Sequence, residues 1–207
     1  MSKKVYIGVS GLARVGKNLF CDIAIKQLKE KYGLTAKQFA LAYELKNDCS
    51  DFVKDKLGID VFTEKTEEKN IIRPLLVWYG GVKRKQSNGT YWTSLLKSRM
   101  DNDPSDVVLV SDIRYCEYEK DEVQWIKDEL SGKLIHIRRY KYLFLGNNTK
   151  VYTKPPNVDE ELNDPKLQDF ADYKLEWEDV GDVDLTSHSY LNKQVEKCLS
   201  KILPSNG

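Results

Sequence analysis

A glycine-rich segment near the N-terminus has the residue types and spacing of a phosphate-binding loop. The segment 11–17, Gly-Leu-Ala-Arg-Val-Gly-Lys, fits the pattern G-x-x-x-x-G-K, and Asn18 stands where Ser or Thr usually follows. Glycines let the backbone curl so that successive N–H groups face phosphate oxygens, and the lysine adds positive charge. The sequence therefore predicts a polyphosphate site. The residues expected to form it are Gly11, Ala13, Arg14, Val15, Gly16, Lys17, Asn18 and Leu19.

Asn18 affects how a metal ion would be held at this site. The hydroxyl that normally ligates Mg²⁺ is absent, and an amide offers only a neutral oxygen or a contact through water. Asp112 ends the most apolar run of the chain, so it is the expected acid that holds Mg²⁺ directly or through water. Asp112 as a turn or cap residue is the alternative. Arg14 could contact a phosphate or face solvent, and the sequence favours neither.

Four arginines follow predicted strands or open a predicted helix, where positive charge could surround a transferring phosphoryl group. Arg73 opens a helix, Arg114 lies just past Asp112, and Arg138 and Arg139 end the next strand. Phosphoryl transfer needs in-line positioning and positive charge rather than a nucleophilic His or Cys. These residues, with Lys17 and Asp112, are the predicted catalytic set. For any single arginine the alternative is a solvated surface residue.

The elements that must position these residues alternate between strand and helix. An apolar, β-branched run precedes the glycine-rich loop and a helical pattern follows it, which is the context that the motif requires. Alternation of this kind predicts an α/β fold with a parallel sheet covered by helices on both faces. Strands are predicted at residues 5–10, 37–42, 106–112, 133–138 and 183–186. Helices are predicted at 18–32, 44–57, 63–79, 92–100, 117–130 and 189–203.

Glycine, proline and polar residues predict where these elements end. Gly33 and Gly58 are expected to stop helices, Pro74 to begin or kink one, and Gly80-Gly81 to end it. The polar runs 83–90 and 146–165 are predicted to be mobile loops. Side chains expected to face the interior are Leu45, Cys49, Phe52, Val53, Leu57 and Trp78.

Composition limits the class of partner. The 207 residues carry a formal net charge of +1, which argues against duplex nucleic acid or an anionic membrane as the main partner and leaves small anionic ligands open. One domain over residues 1–207 is expected. The N-terminus shows no signal-peptide pattern, no run has membrane-span length, and the four cysteines have no C-x-x-C spacing. These features predict a cytoplasmic protein with reduced, mostly buried thiols.

Several short motifs together carry a likeness to a known family. They are the glycine-rich loop, Phe39-Ala-Leu-Ala with Leu45-Lys46, Arg73-Pro-Leu-Leu with Gly80-Gly81, Tyr91-Trp92, Val108-Leu-Val-Ser-Asp112-Ile-Arg114 with Glu117 and Glu119, His136-Ile-Arg138-Arg139 and Gly181-Asp-Val-Asp-Leu-Thr. In this order and spacing the chain resembles the bacteriophage-type deoxynucleoside monophosphate kinases, relatives of the adenylate-kinase group of P-loop kinases.

The resemblance implies a three-layer P-loop fold, a reaction and a division of roles. ATP, with Mg²⁺, would give its γ-phosphoryl group to a deoxynucleoside 5′-monophosphate in the cytoplasm, which is the host's if a phage encodes the chain. The region of about 44–105 would bind the acceptor, and about 139–172 would form a mobile lid. Arg73 and Arg114 would hold the acceptor phosphate, and Arg138 or Arg139 would approach the donor phosphates as the lid closes. The predicted acceptor contacts are Lys46, Arg73, Trp92, Arg114 and Glu117.

Two other classes of function stay open, as does a homodimer. One is a different P-loop phosphotransferase or hydrolase that acts on another small molecule or nucleoside. The other is a non-catalytic nucleotide-binding or host-interaction protein, for which Asn18 is the motive. At the residue level, Trp92 could stack on a base or pack in the core, and Lys46 could contact phosphate or face solvent.

Overall fold

The computed structural model describes residues 4–145, 147–181 and 188–203, without the side chains of residues 144, 145, 147 and 148. Its strands are β1 (Val5–Ser10), β2 (Ala36–Ala40), β3 (Val107–Ile113), β4 (Lys133–Leu145), β5 (Asn147–Tyr152) and β6 (Tyr173–Glu178). Its helices are α1 (Lys17–Tyr32), α2 (Leu41–Leu57), α3 (Thr66–Gln86), α4 (Tyr91–Asp101), α5 (Glu122–Gln124, continued by a π-helical turn at Trp125–Glu129), α6 (Val158–Phe170) and α7 (Ser189–Ile202).

The strands form one mostly parallel sheet. Its parallel part has the order β2-β3-β1-β4-β6, and β5 pairs antiparallel with the far end of β4. After β1 the chain forms β2 and β3 on one side of that strand, and it then forms β4 and β6 on the other side. The carboxyl end of β1 therefore lies at a topological switch point, where ligand sites of open α/β sheets form.

Helices cover both faces of this sheet, as the alternation of elements predicted. On one face α1 and α7 pack against alternate strand residues, with Phe20, Leu28 and Val195 fully buried. On the other face α2, α4, α5 and α6 cover a second apolar cluster. α3 packs on α2 through a smaller cluster that includes Val53 and Ile72. α1 and α2 end at Gly33 and Gly58 in the left-handed conformation, as expected.

The predicted end of α3 is wrong. The helix runs through Gly80 and Gly81 to Gln86, so the first part of the predicted loop 83–90 is helical. Pro74 lies inside it. Gly80 serves packing rather than termination, because a Cβ there would lie 3.2 Å from Cδ2 of Leu45 on α2. Glycine pairs end helices only when the following residues leave the helical conformation, and here they do not.

The helix predicted at 117–130 begins later, at Glu122. Asp121 is its N-cap and accepts a hydrogen bond from the N–H of Glu122 at 3.0 Å. The same carboxylate accepts the N–H groups of Glu117 and Tyr118, at 2.9 and 3.3 Å, and so holds them in a turn. The strand predicted at 37–42 likewise ends early, at Ala40, where α2 begins.

The polar run 146–165 was predicted to be loop, but β5 and the first half of α6 lie within it. β5 is stabilised by pairing with β4, a long-range contact that a local pattern does not register. β6 was not predicted, and the strand predicted at 183–186 lies outside the described residues. Three side chains expected inside are exposed: Phe52, Leu57 and Trp78, the last at 64%.

Two further predictions concern the cysteines and the membrane. Cys21, Cys49 and Cys198 are buried, Cys116 is half-buried, and all are free thiols. Throughout the described part of the chain, no helix combines the length and apolar character that crossing a membrane requires.

Candidate functional site

The glycine-rich loop, residues 11–17, lies between the end of β1 and the start of α1. Gly11 and Gly16 have φ of 129° and 95°, values that favour glycine. A Cβ on Gly11 would overlap the carbonyl oxygen of Ile137, and one on Gly16 would lie 2.6 Å from Trp177 Cζ2. The Trp177 indole N–H donates to the carbonyl of Val15 at 2.7 Å. The loop is thus held tightly against β4 and β6.

Lys17 is folded over the loop that precedes it. Its Nζ donates to the carbonyl oxygens of Gly11 and Leu12, at 2.9 and 3.0 Å, and lies 3.7 Å from Asp112 Oδ1. The side chain is only 8% exposed. Burial lowers the pKa of Lys17, and the charge of Asp112 opposes that effect. The ammonium group is therefore positioned over the loop, where an anion would meet it.

Asp112 lies near the carboxyl end of β3, beside the loop. Its φ is 64°, and the pairing of β1 with β3 shifts register next to it. Arg114 Nη2 lies 3.6 Å from its Oδ1. In the described part of the chain, no group of three or more His, Cys, Asp or Glu residues could hold a metal ion. An ion at Asp112 would take its other ligands from phosphate and water, as Mg²⁺ commonly does.

The Asn18 side chain has a partner within the protein. Its Oδ1 accepts a hydrogen bond from Nε2 of Gln38 on β2 at 3.0 Å. The same amide nitrogen donates to the hydroxyl of Ser111 at 2.9 Å. Gln38 thereby links the start of α1 to β3. That metal binding depends on Asp112 stays a prediction.

A carboxylate that sequence reasoning missed already lies on the loop. Glu160, in the first turn of α6, accepts the backbone N–H of Ala13 through Oε2 at 2.7 Å. Its Oε1 accepts from Nη1 of Arg114 at 3.3 Å. The spacing of Asn157 and Glu160 is that of a capping box, which was the signal available in the sequence. In this structure the Ala13 N–H of the loop therefore has a carboxylate as its partner.

The loop opens onto a cavity of about 320 Å³ between α2, α3 and the sheet. Apolar side chains form much of its wall: Leu41, Leu45, Val61, Ile72, Leu76, Val77 and Trp92. Groups around the loop form one end: Ala13, Asp112, Arg114 and Glu160. Its volume is within the range of small-molecule sites, which are mostly apolar with a few polar groups.

Positive charge without a partner faces this cavity. Arg73 makes no hydrogen bond or ion pair with any other described residue, and it lines the cavity. Lys46 also lines it, and within the described residues its Nζ contacts only the ring of Phe62, 5.5 Å from the centroid. Lys69, by contrast, pairs with Glu64 at 2.7 Å. The charge of Lys46 acts on the nearby Glu64, so Arg73 is the residue here without a partner among the described residues, and its positive charge favours an anionic ligand.

Arg138 and Arg139 lie on the other side of the loop, at a second cavity of about 180 Å³ that Leu12 and Val15 also line. Arg138 pairs with Glu176 at 3.2 Å and stacks on Tyr152, 3.6 Å from the ring centroid. Arg139 pairs with Asp179 and donates to the carbonyl of Arg14 at 3.4 Å. Both arginines are near the loop, but carboxylates already compensate their charges.

Other predicted site residues have structural partners. Glu117 does not line the larger cavity and pairs with Arg84 at 3.3 Å. Trp92 is 4% exposed, and its indole N–H donates to the carbonyl of Gly80 at 3.2 Å, so it is a wall of the cavity held in place by α3. The Leu19 side chain packs against the core. Arg14 is exposed, with φ of 66°.

Arg84 and Glu122 were not predicted, yet both line the larger cavity. Arg84 is buried, pairs with Asp121 at 2.7 Å and stacks on Tyr115. Glu122 accepts the N–H groups of Arg114 and Tyr115, at 2.6 and 3.1 Å. Burial raises the pKa of Glu122 to about 8, and the charge of Asp121 adds to the effect. These residues fix the turn from which Arg114 reaches the loop.

Comparison with known proteins adds no family. No protein-family model matches the chain, and no curated protein sequence matches it significantly. Inference about function therefore starts from the loop, the cavity and their charges.

Proposed function

We propose that the protein is a P-loop phosphotransferase that moves the γ-phosphoryl group of ATP to a deoxynucleoside 5′-monophosphate. One observation carries this proposal. Ala13 of the glycine-rich loop, Lys46 and Arg73 line the same cavity, with Asp112 and Arg114 beside the loop, and Arg73 has no partner among the described residues. Two anionic substrates would thus meet at a point lined by positive charge, as phosphoryl transfer requires.

The donor phosphates would bind the loop. Backbone N–H groups such as that of Ala13, the N-terminal end of α1 and the Lys17 ammonium group together favour a polyphosphate. Lys17 would exchange its bonds to two loop carbonyls for bonds to phosphate oxygens. The Asp112 carboxylate would hold Mg²⁺, which neutralises charge on the donor phosphates when it is bound.

The acceptor would occupy the larger cavity. Arg73 would hold its phosphate, Lys46 would add charge, and the apolar wall that includes Leu45 and Trp92 would receive the base. Arg114 lies between cavity and loop and would bridge the two phosphate groups. Glu117 would not contact the acceptor, because it pairs with Arg84 and does not itself line the cavity.

The chemistry needs no general base from the protein. A nucleoside monophosphate has its second pKa near 6, so its phosphate is mostly dianionic at neutral pH. One of its oxygens would bond to the γ-phosphorus, and the bond to the β–γ bridging oxygen would break, leaving ADP and a diphosphate. Lys17 and Arg114 would stabilise the charge on the transferring group, and Arg138 or Arg139 would assist if its carboxylate partner released it.

The narrower parts of the proposal rest on the sequence resemblance. The mostly parallel sheet, with the loop at the carboxyl end of its central strand β1, supports a P-loop kinase fold. The choice of a deoxynucleotide acceptor and a cytoplasmic location come from the resemblance and from composition.

A coupled assay for ADP release tests the proposal. ATP, Mg²⁺ and each of the four common dNMPs are supplied in turn, and ADP release that depends on at least one dNMP is expected. Lys17→Ala should lower turnover at least about 100-fold, since a preorganised positive group at the transferring phosphoryl is lost. Lys26→Ala, an exposed lysine of the same helix, is the control and should keep full activity. Absence of dNMP-dependent ADP release with all four acceptors would refute the proposed reaction.

A second candidate is a nucleotide-binding protein without catalysis. Its support is that Asn18 already accepts from Gln38, and that no group of three or more His, Cys, Asp or Glu residues in the described part of the chain could hold a metal ion. This candidate predicts that ATP binds and that no acceptor increases ADP release. The same assay, run beside a measurement of ATP affinity, separates the two functions.

A further inference from the structure

We propose that Glu160 is an internal competitor of the donor phosphates: its carboxylate occupies the loop in the free protein, and ATP must displace it together with the first turn of α6. This inference rests on the proposed function, because it takes the loop as the site of the donor phosphates. It adds to that function a built-in contact that weakens ATP binding and couples it to movement of α6.

The contact between Glu160 and the loop has the form of anion recognition. One oxygen accepts the Ala13 N–H at 2.7 Å and the other accepts from Arg114 at 3.3 Å. The charge of Glu160 also acts on Lys17 and helps to keep its ammonium group protonated. A loop N–H and two cations are the partners that a bound phosphate would use.

Local structure aims this carboxylate at the loop. Asn157 is the N-cap of α6 and accepts the Glu160 N–H through Oδ1 at 2.8 Å. In return, Nδ2 of Asn157 donates to Oε1 of Glu160 at 3.3 Å. The side chain of Glu160 is only 11% exposed. Its position is thus held by the N-cap residue of α6 and is not that of a freely moving surface glutamate.

A phosphate and Glu160 cannot share this position. The single N–H of Ala13 donates one full hydrogen bond, and two anions a few ångströms apart repel each other, most strongly where water is excluded. Arg114 would likewise have to leave Glu160 to reach a phosphoryl oxygen. Binding of the donor therefore requires that Glu160 withdraw.

α6 is attached in a way that permits withdrawal. Of its side chains, those of Asn163 and Leu167 are buried. Val158 and Leu162 are 66% and 62% exposed, so they gain little from the closed position. An element with few buried apolar contacts opens at low cost. The apparent affinity for ATP is then the affinity of the open form multiplied by the fraction of molecules in which α6 is open.

Glu160→Gln is the test, because glutamine keeps the size of the side chain and its amide oxygen can still accept from Nδ2 of Asn157. Calorimetry with ATP plus Mg²⁺, and separately with inorganic tripolyphosphate, should give roughly tenfold tighter binding for this variant, the effect of losing one charge-assisted contact. Asp159→Asn is the matched control. It removes the same charge from an exposed neighbour in α6 whose side chain makes no hydrogen bond or ion pair with another described residue, and its affinity should equal that of the wild type.

Hydrogen exchange of residues 158–170 gives a second readout. In the wild type, ATP should speed exchange in the first turn of α6, whereas in Glu160→Gln exchange should be fast with and without ATP. Equal ATP affinity for the two proteins, or protection of α6 by ATP in the wild type, would overturn the inference and leave the proposed function standing. Failure of both proteins to bind ATP and tripolyphosphate would overturn both, so the two failures are distinguishable.

Discussion

At the scale of single residues, the role of a charged side chain depends more on the group it pairs with than on its residue type. Arg73 was predicted to open a helix and to hold the acceptor phosphate, and Arg138 or Arg139 to approach the donor phosphates. The helix prediction is wrong for Arg73, which lies inside α3. In the structure Arg138 and Arg139 are paired with Glu176 and Asp179, whereas Arg73 has no partner among the described residues. Exposed ion pairs contribute little to stability, but they do compensate charge that a ligand would otherwise attract. Arg73 is therefore the arginine most directly available to an acceptor.

Arg73→Ala should raise KM for the acceptor roughly 10- to 100-fold, since a hydrogen bond between charged groups contributes about 1.5–3 kcal/mol. ATP affinity should stay unchanged, because Arg73 lines the cavity and does not contact the loop. Steady-state kinetics with the acceptor varied gives the first value and calorimetry the second. Lys85→Ala, at the exposed end of the same helix, is the control. An acceptor KM equal to that of the wild type would show that Arg73 does not bind the acceptor.

At the scale of elements, adjacent glycines in α3 have different functions. Gly80 is buried against Leu45 of α2, and its carbonyl accepts from Trp92, so it lets three helices approach closely. Gly81 is exposed, and a Cβ there would meet nothing within 4 Å. The sequence shows only a Gly-Gly pair, which predicted a helix end; close packing at Gly80 is what the tertiary structure adds.

Alanine at these two positions should therefore have different effects on stability. Gly81→Ala should raise the free energy of unfolding by roughly 0.5–1 kcal/mol, the usual gain from replacing a helical glycine. Gly80→Ala should give no gain, because the new Cβ would lie 3.2 Å from Leu45 and force that side chain to move. Urea denaturation of the two variants measures both values. Equal gains would mean that the contact between α2 and α3 is looser than described.

A buried polar pair lies where α6 covers β4. Nε2 of His136 lies 3.2 Å from Oδ1 of Asp164, although the two atoms are not aligned for a hydrogen bond. Burial lowers the pKa of His136 to about 4, with Arg138 and Lys174 adding to the effect. Burial raises the pKa of Asp164 to about 6, with Glu160 adding to the effect. Near pH 5 the folded pair therefore holds one proton, on the carboxyl group, and both partners are neutral.

Together, His136 and Asp164 should contribute little to the pH dependence of the free energy of unfolding. Near pH 5 the unfolded chain also holds one proton on these two residues, on the imidazole. Single variants should separate the two effects. In Asp164→Asn, stability should rise with pH between about 4 and 6.5, where only the unfolded imidazole is protonated. In His136→Gln, stability should fall as pH rises from 3.8 to about 6, where only the folded carboxyl is protonated.

Urea denaturation of both variants at several pH values checks these signs. The slopes should approach about 1.4 kcal/mol per pH unit at most, the value for one proton. Slopes of the same sign in the two variants would contradict the assignment of the proton to Asp164.

At the scale of the whole molecule, the cavity combines distant parts of the chain. The loop comes from the end of β1, Asp112 and Arg114 from β3 and the turn after it, Arg73 from α3, and Glu160 from α6. These elements meet because connections on both sides of β1 bring them to the carboxyl ends of parallel strands. A ligand that bridges the loop and the cavity should therefore stabilise the entire fold.

ATP with Mg²⁺, at about 100 times its dissociation constant, should stabilise the protein by about 2.7 kcal/mol. For a chain of 207 residues this corresponds to a rise in Tm of roughly 5–10 °C. Lys17→Ala should lose most of this shift, whereas Lys26→Ala should keep it. Differential scanning fluorimetry measures both. A shift that is the same in Lys17→Ala would mean that ATP binds away from the loop.

The sequence by itself determined the loop, the alternation of strands and helices and most helix starts. These features depend on contacts within a few residues, such as glycine conformations, helical periodicity and apolar runs, and the structure agrees with them at β1, α1, β3 and α7. The glycine-rich loop and Lys17 could be predicted from such local patterns because they are consecutive residues of the chain.

Only the tertiary structure decided which side chains share the site. β5 and β6 are stabilised by pairing with β4, Glu117 pairs with Arg84 and does not itself line the cavity, and Glu160 contacts the loop across more than a hundred residues of sequence. Such contacts depend on sheet order and helix packing, which bring distant residues together and leave no periodic trace in the chain. The glycine-rich loop was therefore predictable, and the carboxylate that occupies it was not.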